Sequence, residues 1–200
     1  MLTKTKLIKL LRTIKRFKPE FLRASDVDPK FLSDPEVMIA AVKSNGYALE
    51  YASEELRGDK EVVLEAVKEN GRALQFASYE LRADKDVVME AVKQSGLALE
   101  FATKFSASYE VRGDEDVVME AVKQDGLALE FASEELKEKR NIAFEAMKND
   151  LAACRLFGRA LVYDILQSLD SDDGFSDPVD MPPVWEHVLN EHGWMRGWVR

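Results

Sequence analysis

The side chains able to hold a metal or move a proton are few and poorly spaced for it. His187 and His192 stand five residues apart, about 140° around a helix. Two ligands on one helical face need a spacing of three or four. His187 and Glu191 have that spacing but supply only two ligands, too few for a metal site. Asp170-Ser171-Asp172-Asp173-Gly174 begins like a calcium loop, yet its glycine comes one position early. Met181 stands where the closing Glu belongs. Cys154, the single cysteine, lies in an apolar helical run and reads as a small core residue. It excludes an internal disulfide and favours a reducing compartment. The sequence contains no nucleophile–base pair, phosphate loop or paired-cysteine motif. The expectation is a chain with no catalysis, no cofactor and no metal.

Binding chemistry has better candidates. Arg57-Gly58-Asp59 and Arg112-Gly113-Asp114 carry the triplet that adhesion receptors read. Glu65, Glu90, Glu120 and Glu145 recur three residues before Lys68, Lys93, Lys123 and Lys148, the i,i+3 spacing of one helix face. Such a ladder could grip a partner, or it could be a solvated face of weak ion pairs. A second acidic edge holds Glu50, Glu54, Glu55, Glu80, Glu100, Glu110, Glu130, Glu134 and Glu135, interrupted by Arg57, Arg72, Arg82 and Arg112. Trp185, Trp194 and Trp198 crowd the last seventeen residues, and Trp194 and Trp198 each follow a glycine. They could offer indoles to a partner's pockets, or the segment could fold back on the preceding helices. The candidate partner-binding residues are therefore Glu65, Lys68, Glu90, Lys93, Glu120, Lys123, Trp194 and Trp198.

The elements that position these residues repeat. Residues 34–58 read DPEVMIAAVKSNGYALEYASEELRG, and 59–83 read DKEVVLEAVKENGRALQFASYELRA. Residues 84–113 follow with five extra residues, then 114–138, then a worn copy at 139–163. We number these units 1 to 5. Upstream, VDPKFLSD resembles the tail of a further unit.

Each unit has one grammar. An Asp opens it (Asp34, Asp59, Asp84, Asp114) as a helix N-cap. An amphipathic segment follows, such as Glu61–Glu69, with Val62, Val63, Leu64, Ala66 and Val67 on one arc. Gly46, Gly71, Gly96 or Gly126 then ends it, as a left-handed C′ residue would. A second helical segment buries Ala73, Leu74, Phe76 and Ala77, and Ser-x-x-Leu-Arg makes one more tight turn. The Arg-Gly-Asp triplet thus falls at the joint between units. At the next joint it reads Arg82-Ala83-Asp84, and the reading is punctuation rather than adhesion. Leu151 takes the glycine position in unit 5, where the two helices are expected to fuse or reorganise as a cap.

Units this short bury a core only by stacking. The expected fold is an all-α solenoid of about five 25-residue two-helix repeats with terminal caps. Residues 1–21 form a basic amphipathic capping helix, 22–163 the repeat domain, and 164–200 a linker with the Trp-rich segment. The first of these places Leu7, Leu10, Leu11, Ile14 and Phe17 opposite Lys6, Lys9, Arg12, Lys15 and Arg16. The pattern also suits a membrane-surface or targeting helix.

The net charge of −9 conceals an asymmetry: residues 1–23 carry +7 and the rest −16. The acidic body argues against nucleic-acid binding, which needs a basic surface. No apolar run approaches the roughly 18 residues of a membrane span, and no hydrophobic signal segment stands at the start. Membrane contact is left to residues 1–20, and the expected location is cytoplasmic.

The pattern D-x-E/D-V-V-x-x-A-V-K-x-x-G-x-A-L-x-F/Y-A-S-x-x-L-R over residues 34–138 resembles the tandem short-repeat family catalogued as domain of unknown function 4116. The resemblance fades across 139–163. It implies a helical array and brings no activity with it. The functional expectation is a non-enzymatic scaffold that binds a protein partner. The alternative is an acidic inhibitor that imitates nucleic acid on a nucleic-acid-binding protein.

Overall fold

The computed structural model describes residues 3–13, 18–23, 28–102, 109–158, 161–162 and 164–165. Helices account for the regular structure among them, with no strand. Six ten-residue α-helices lie side by side in chain order: α1 Lys4–Thr13, α2 Pro35–Ser44, α3 Lys60–Glu69, α4 Lys85–Gln94, α5 Glu115–Gln124 and α6 Arg140–Asn149. Each packs chiefly on its neighbours, so the fold is an all-α solenoid.

Local chemistry sets each helix. In α3, Asp59 accepts the amides of Glu61 and Val62, satisfying two donors the first turn leaves free. Val62, Val63, Ala66 and Val67 are buried. Asn70 ends the helix in an extended conformation, and its side chain accepts the Arg72 amide to start the next segment. That segment, Gly71–Phe76, is a 3-10 helix that buries Ala73 and Leu74 while Phe76 is half-buried. Ser78 then caps a single α-turn, Tyr79–Arg82, anchored by buried Leu81. The tight turn expected after the second segment is this short helix. A backbone hydrogen bond from Ser78 N to Arg57 O, 2.7 Å, ties it to the same turn of the preceding unit. Ser53 N to Leu32 O and Ser133 N to Arg112 O repeat the bond.

The glycines have a different reason from the expected left-handed cap. Asn70 carries the chain break at φ −151°, and Gly71 opens the 3-10 helix. A Cβ on Gly71 would collide with the backbone O of Ala91 in the next unit. Gly46 meets Ala66 O in the same way at 2.5 Å, Gly96 meets Ala121 O, and Gly126 meets Ala146 O. Adjacent units therefore approach until only hydrogen fits between them. Gly58, in contrast, sits at φ −94°, and Ala83 and Glu138 hold the equivalent position at −103° and −85°. Nothing there demands glycine, in keeping with its role at a joint.

Unit 5 departs from expectation. Its helices do not fuse: α6 ends at Asn149, and Asp150 caps the 3-10 helix Leu151–Leu156 as Asn45, Asn70 and Asp125 do in units 1, 2 and 4. The basic head also does more than was read from it. It buries Leu7, Ile8 and Leu11 against α2, while Leu10 is half-exposed. Ile14 and Phe17 lie outside the described residues. Two 3-10 turns follow, Pro19–Arg23 and Pro29–Ser33. The second stands where internal units have their short helix, and Asp28 caps it. Head and half-repeat together make an irregular further unit, unit 0.

Candidate functional site: the charged faces of the array

Two charged faces run along the stack. On the α-helix face, Lys68 Nζ lies 3.2 Å from Glu65, Lys93 lies 3.7 Å from Glu90, and Lys148 lies 3.4 Å from Glu145. Glu65 also takes Lys43 of the preceding unit at 3.2 Å. Partial burial pushes the Glu65 carboxyl up, but the two lysines outweigh it and hold it below the ordinary Glu range. Glu120 accepts the side-chain amide of Gln124, and the Lys123 carbonyl accepts Asn149 Nδ2. The ladder read from the sequence is a face where acids and bases engage one another. Trp194 and Trp198 lie outside the described residues, as do both histidines and the Asp170–Gly174 loop. Among the described residues no three His, Cys, Asp or Glu side chains are placed to hold a metal. Cys154 is buried, and desolvation pushes its thiol up from the ordinary value.

The second face is carried by the short helices. Glu55, Glu80, Glu110 and Glu135 occupy the same position in four successive units, and all are exposed. Glu54 and Glu134 stand beside them, also exposed. Glu134 takes Lys137 at 2.8 Å, which with its charge lowers the carboxyl from the ordinary Glu value. Glu80 is lowered by its own backbone amide and the Ser78 hydroxyl. Arg57, Arg82 and Arg112 end the same short helices and are half-buried. Arg72, the fourth arginine of the edge, is exposed.

A third surface closes the N-terminal end. An open groove of about 410 Å³ runs along α1, lined by Lys4, Thr5, Ile8, Lys9, Arg12 and Thr13 of that helix and by Glu36 of α2. No helix among the described residues is long and apolar enough to cross a membrane.

One set of contacts escaped the sequence reading. Lys60, first residue of α3, reaches Asp84 at 2.8 Å and Asp86 at 3.0 Å in the next unit. Lys85 reaches Asp114 at 2.5 Å and Asp116 at 3.8 Å. Lys4 makes the same contact to Asp34 at 2.7 Å and Glu36 at 3.1 Å, which puts α1 in the register of a repeat helix. Arg140 reaches Asp164 at 2.8 Å. Glu115 and Lys139 form this contact with charges exchanged, at 2.8 Å. A lysine directly after the capping Asp in units 2 and 3, Lys60 and Lys85, was the available signal.

The comparisons with known proteins agree with this architecture. Residues 11–57, 59–105 and 114–163 each match the family described as Domain of unknown function (DUF4116), and the chain belongs to that family. The second match covers most of units 2 and 3, and the third covers units 4 and 5. One family domain therefore corresponds to a pair of structural repeats. No curated protein and no solved structure matches the chain significantly.

Proposed function

We propose that the array is a non-enzymatic scaffold that binds a protein partner along its short-helix face. The observation that supports this is the row Glu55, Glu80, Glu110 and Glu135. It presents one exposed carboxylate per unit in four consecutive units. A stacked array holds such a row at regular intervals, a form suited to an extended basic segment. The Glu65–Lys68 and Glu90–Lys93 ladder is the weaker candidate, because its charges engage each other.

The test is affinity capture from cells that make the protein, followed by binding with the purified partner. Reversal of all four row glutamates to Lys should abolish binding while helicity persists. Loss of binding instead on changing Trp194 and Trp198 to Ala would move the site to the C-terminal segment. Survival of both sets of changes would end the proposal for either surface.

The same acidic row supports a second reading, an inhibitor that fills the basic groove of a nucleic-acid-binding protein. In that case the purified partner would lose its nucleic acid on addition of this chain, and 1 M salt would reverse the effect. The basic head supports membrane attachment as a third reading. Vesicles of anionic phospholipid should then retain the full chain and release it when residues 1–20 are removed.

A further inference from the structure

Helices α4 and α5, KDVVMEAVKQ and EDVVMEAVKQ, differ only at their first residue, Lys85 against Glu115. Near-identical units can stack in the wrong order, because the same apolar face fits several neighbours. The first residue is the one that reaches the next unit. Lys85 meets the capping Asp114, and Glu115 meets Lys139 at 2.8 Å and the Asn141 side chain at 3.0 Å.

We infer that Glu115 and Lys139 form a register key that admits unit 5 after unit 4 and disfavours any other unit at that junction. The first residues of the six long helices are Lys4, Pro35, Lys60, Lys85, Glu115 and Arg140, and Glu115 alone is an anion. Five of them meet Asp34, Asp84, Asp114, Lys139 and Asp164, and Lys139 alone is a cation; Pro35 has Asp59 at the equivalent position of the next unit. Each half of the reversed pair is therefore complementary to the other and to no other unit. If unit 4 were skipped, Lys85 would face Lys139; if unit 5 were skipped, Glu115 would face Asp164.

Two further observations support the key. Lys139 leaves α6 without the side-chain cap that Asp gives α2, α3, α4 and α5. The exchange sacrifices local helix stability, and its return lies in pairing. At the far end of the same junction, Asn149 Nδ2 donates to the carbonyls of Val122 at 3.1 Å and Lys123 at 2.5 Å. The equivalent residues of units 1 to 4 are Ser44, Glu69, Gln94 and Gln124, so asparagine stands here in unit 5 alone, and Gln124 bonds Glu120.

The experiment uses the full chain with Glu115→Lys, Lys139→Asp and both together. Glu115→Lys places like charges at the junction and should lower the unfolding midpoint; Lys139→Asp does the same but gives α6 a capping Asp, so its loss should be smaller, and the double change should bring the midpoint to or above that of the unmodified chain. The double variant keeps a matched native junction but no longer distinguishes unit 4 from unit 3. After dilution from denaturant at low salt, its misfolded or associated fraction should exceed that of the unmodified chain several-fold. Size-exclusion chromatography and near-ultraviolet circular dichroism read that fraction. The difference should shrink in 1 M salt, where the Debye length falls to about 3 Å. A double variant that refolds with the yield and rate of the unmodified chain would overturn the inference. So would the absence of any coupling between the single changes.

Discussion

Asp84 serves two units at once: its carboxylate caps α4 through the amides of Asp86 and Val87, and it takes Lys60 of the preceding unit at 2.8 Å. Helix initiation and unit stacking therefore share one side chain. Asp114 does the same with Lys85. At Asp59 the preceding helix begins with Pro35, which offers no cation.

The two caps should accordingly differ in worth. Asp59→Ala removes a cap and should cost about 1 kcal/mol. Asp84→Ala removes a cap and a bridge between units, and should cost more. Chemical unfolding of the two variants measures the difference. Equal costs would show that the Lys60 contact adds nothing.

Acid should loosen the same joints. Burial pushes the Asp84 carboxyl up, but Lys60 and the two capping amides prevail and hold it below the ordinary Asp value; Asp114 behaves alike with Lys85. A carboxyl lowered in the folded state adds stability that is complete above its unfolded pKa of about 3.9 and is lost as pH falls through the folded value. Thermal melts should thus be flat in this respect above about pH 5 and decline below about pH 4. Asp84→Asn should be less stable at neutral pH and show a shallower acid decline. An unchanged slope would place the acid response elsewhere.

Gly71→Ala tests the close approach of units. Its methyl must displace the Ala91 carbonyl, and overpacking of this kind costs about 1–3 kcal/mol. Gly58→Ala should be almost neutral, because the backbone there is already one that Ala83 adopts. Equal effects at both positions, measured by urea unfolding, would contradict this account of the glycines.

The head can be tested without truncation. Leu11 is fully buried on α1, and Leu11→Ala should cost about 2–5 kcal/mol and lower the melting temperature. Lys4→Ala should have a small effect, since the ion pair is partly exposed. If Leu11→Ala melts unchanged, α1 is not part of the cooperative stack.

Much of this architecture was legible because duplication wrote the pattern several times. The period, the capping Asp residues and the buried valines all follow from comparing copies. What escaped depends on how one unit meets the next. A glycine at a helix end looks like a left-handed cap, and only the neighbour's carbonyl reveals the need for a bare Cα. The partners Lys60 and Asp84 are 24 residues apart, and no periodicity within one helix links them. Unit 0 was divided into a cap and a half-repeat because its residues depart from the consensus, although Lys4 keeps the register. On the candidate site, the row of glutamates was visible, but the half-burial of Arg57, Arg82 and Arg112 was not.

The bond from Ser78 N to Arg57 O, and its counterparts along the array, gives the chain a mechanical character. Tension on the two ends is carried in series, through one small interface after another. Extension would strip units from an end in discrete steps. Each 25-residue unit would release about 80–90 Å of contour length, and the force trace would be a regular sawtooth.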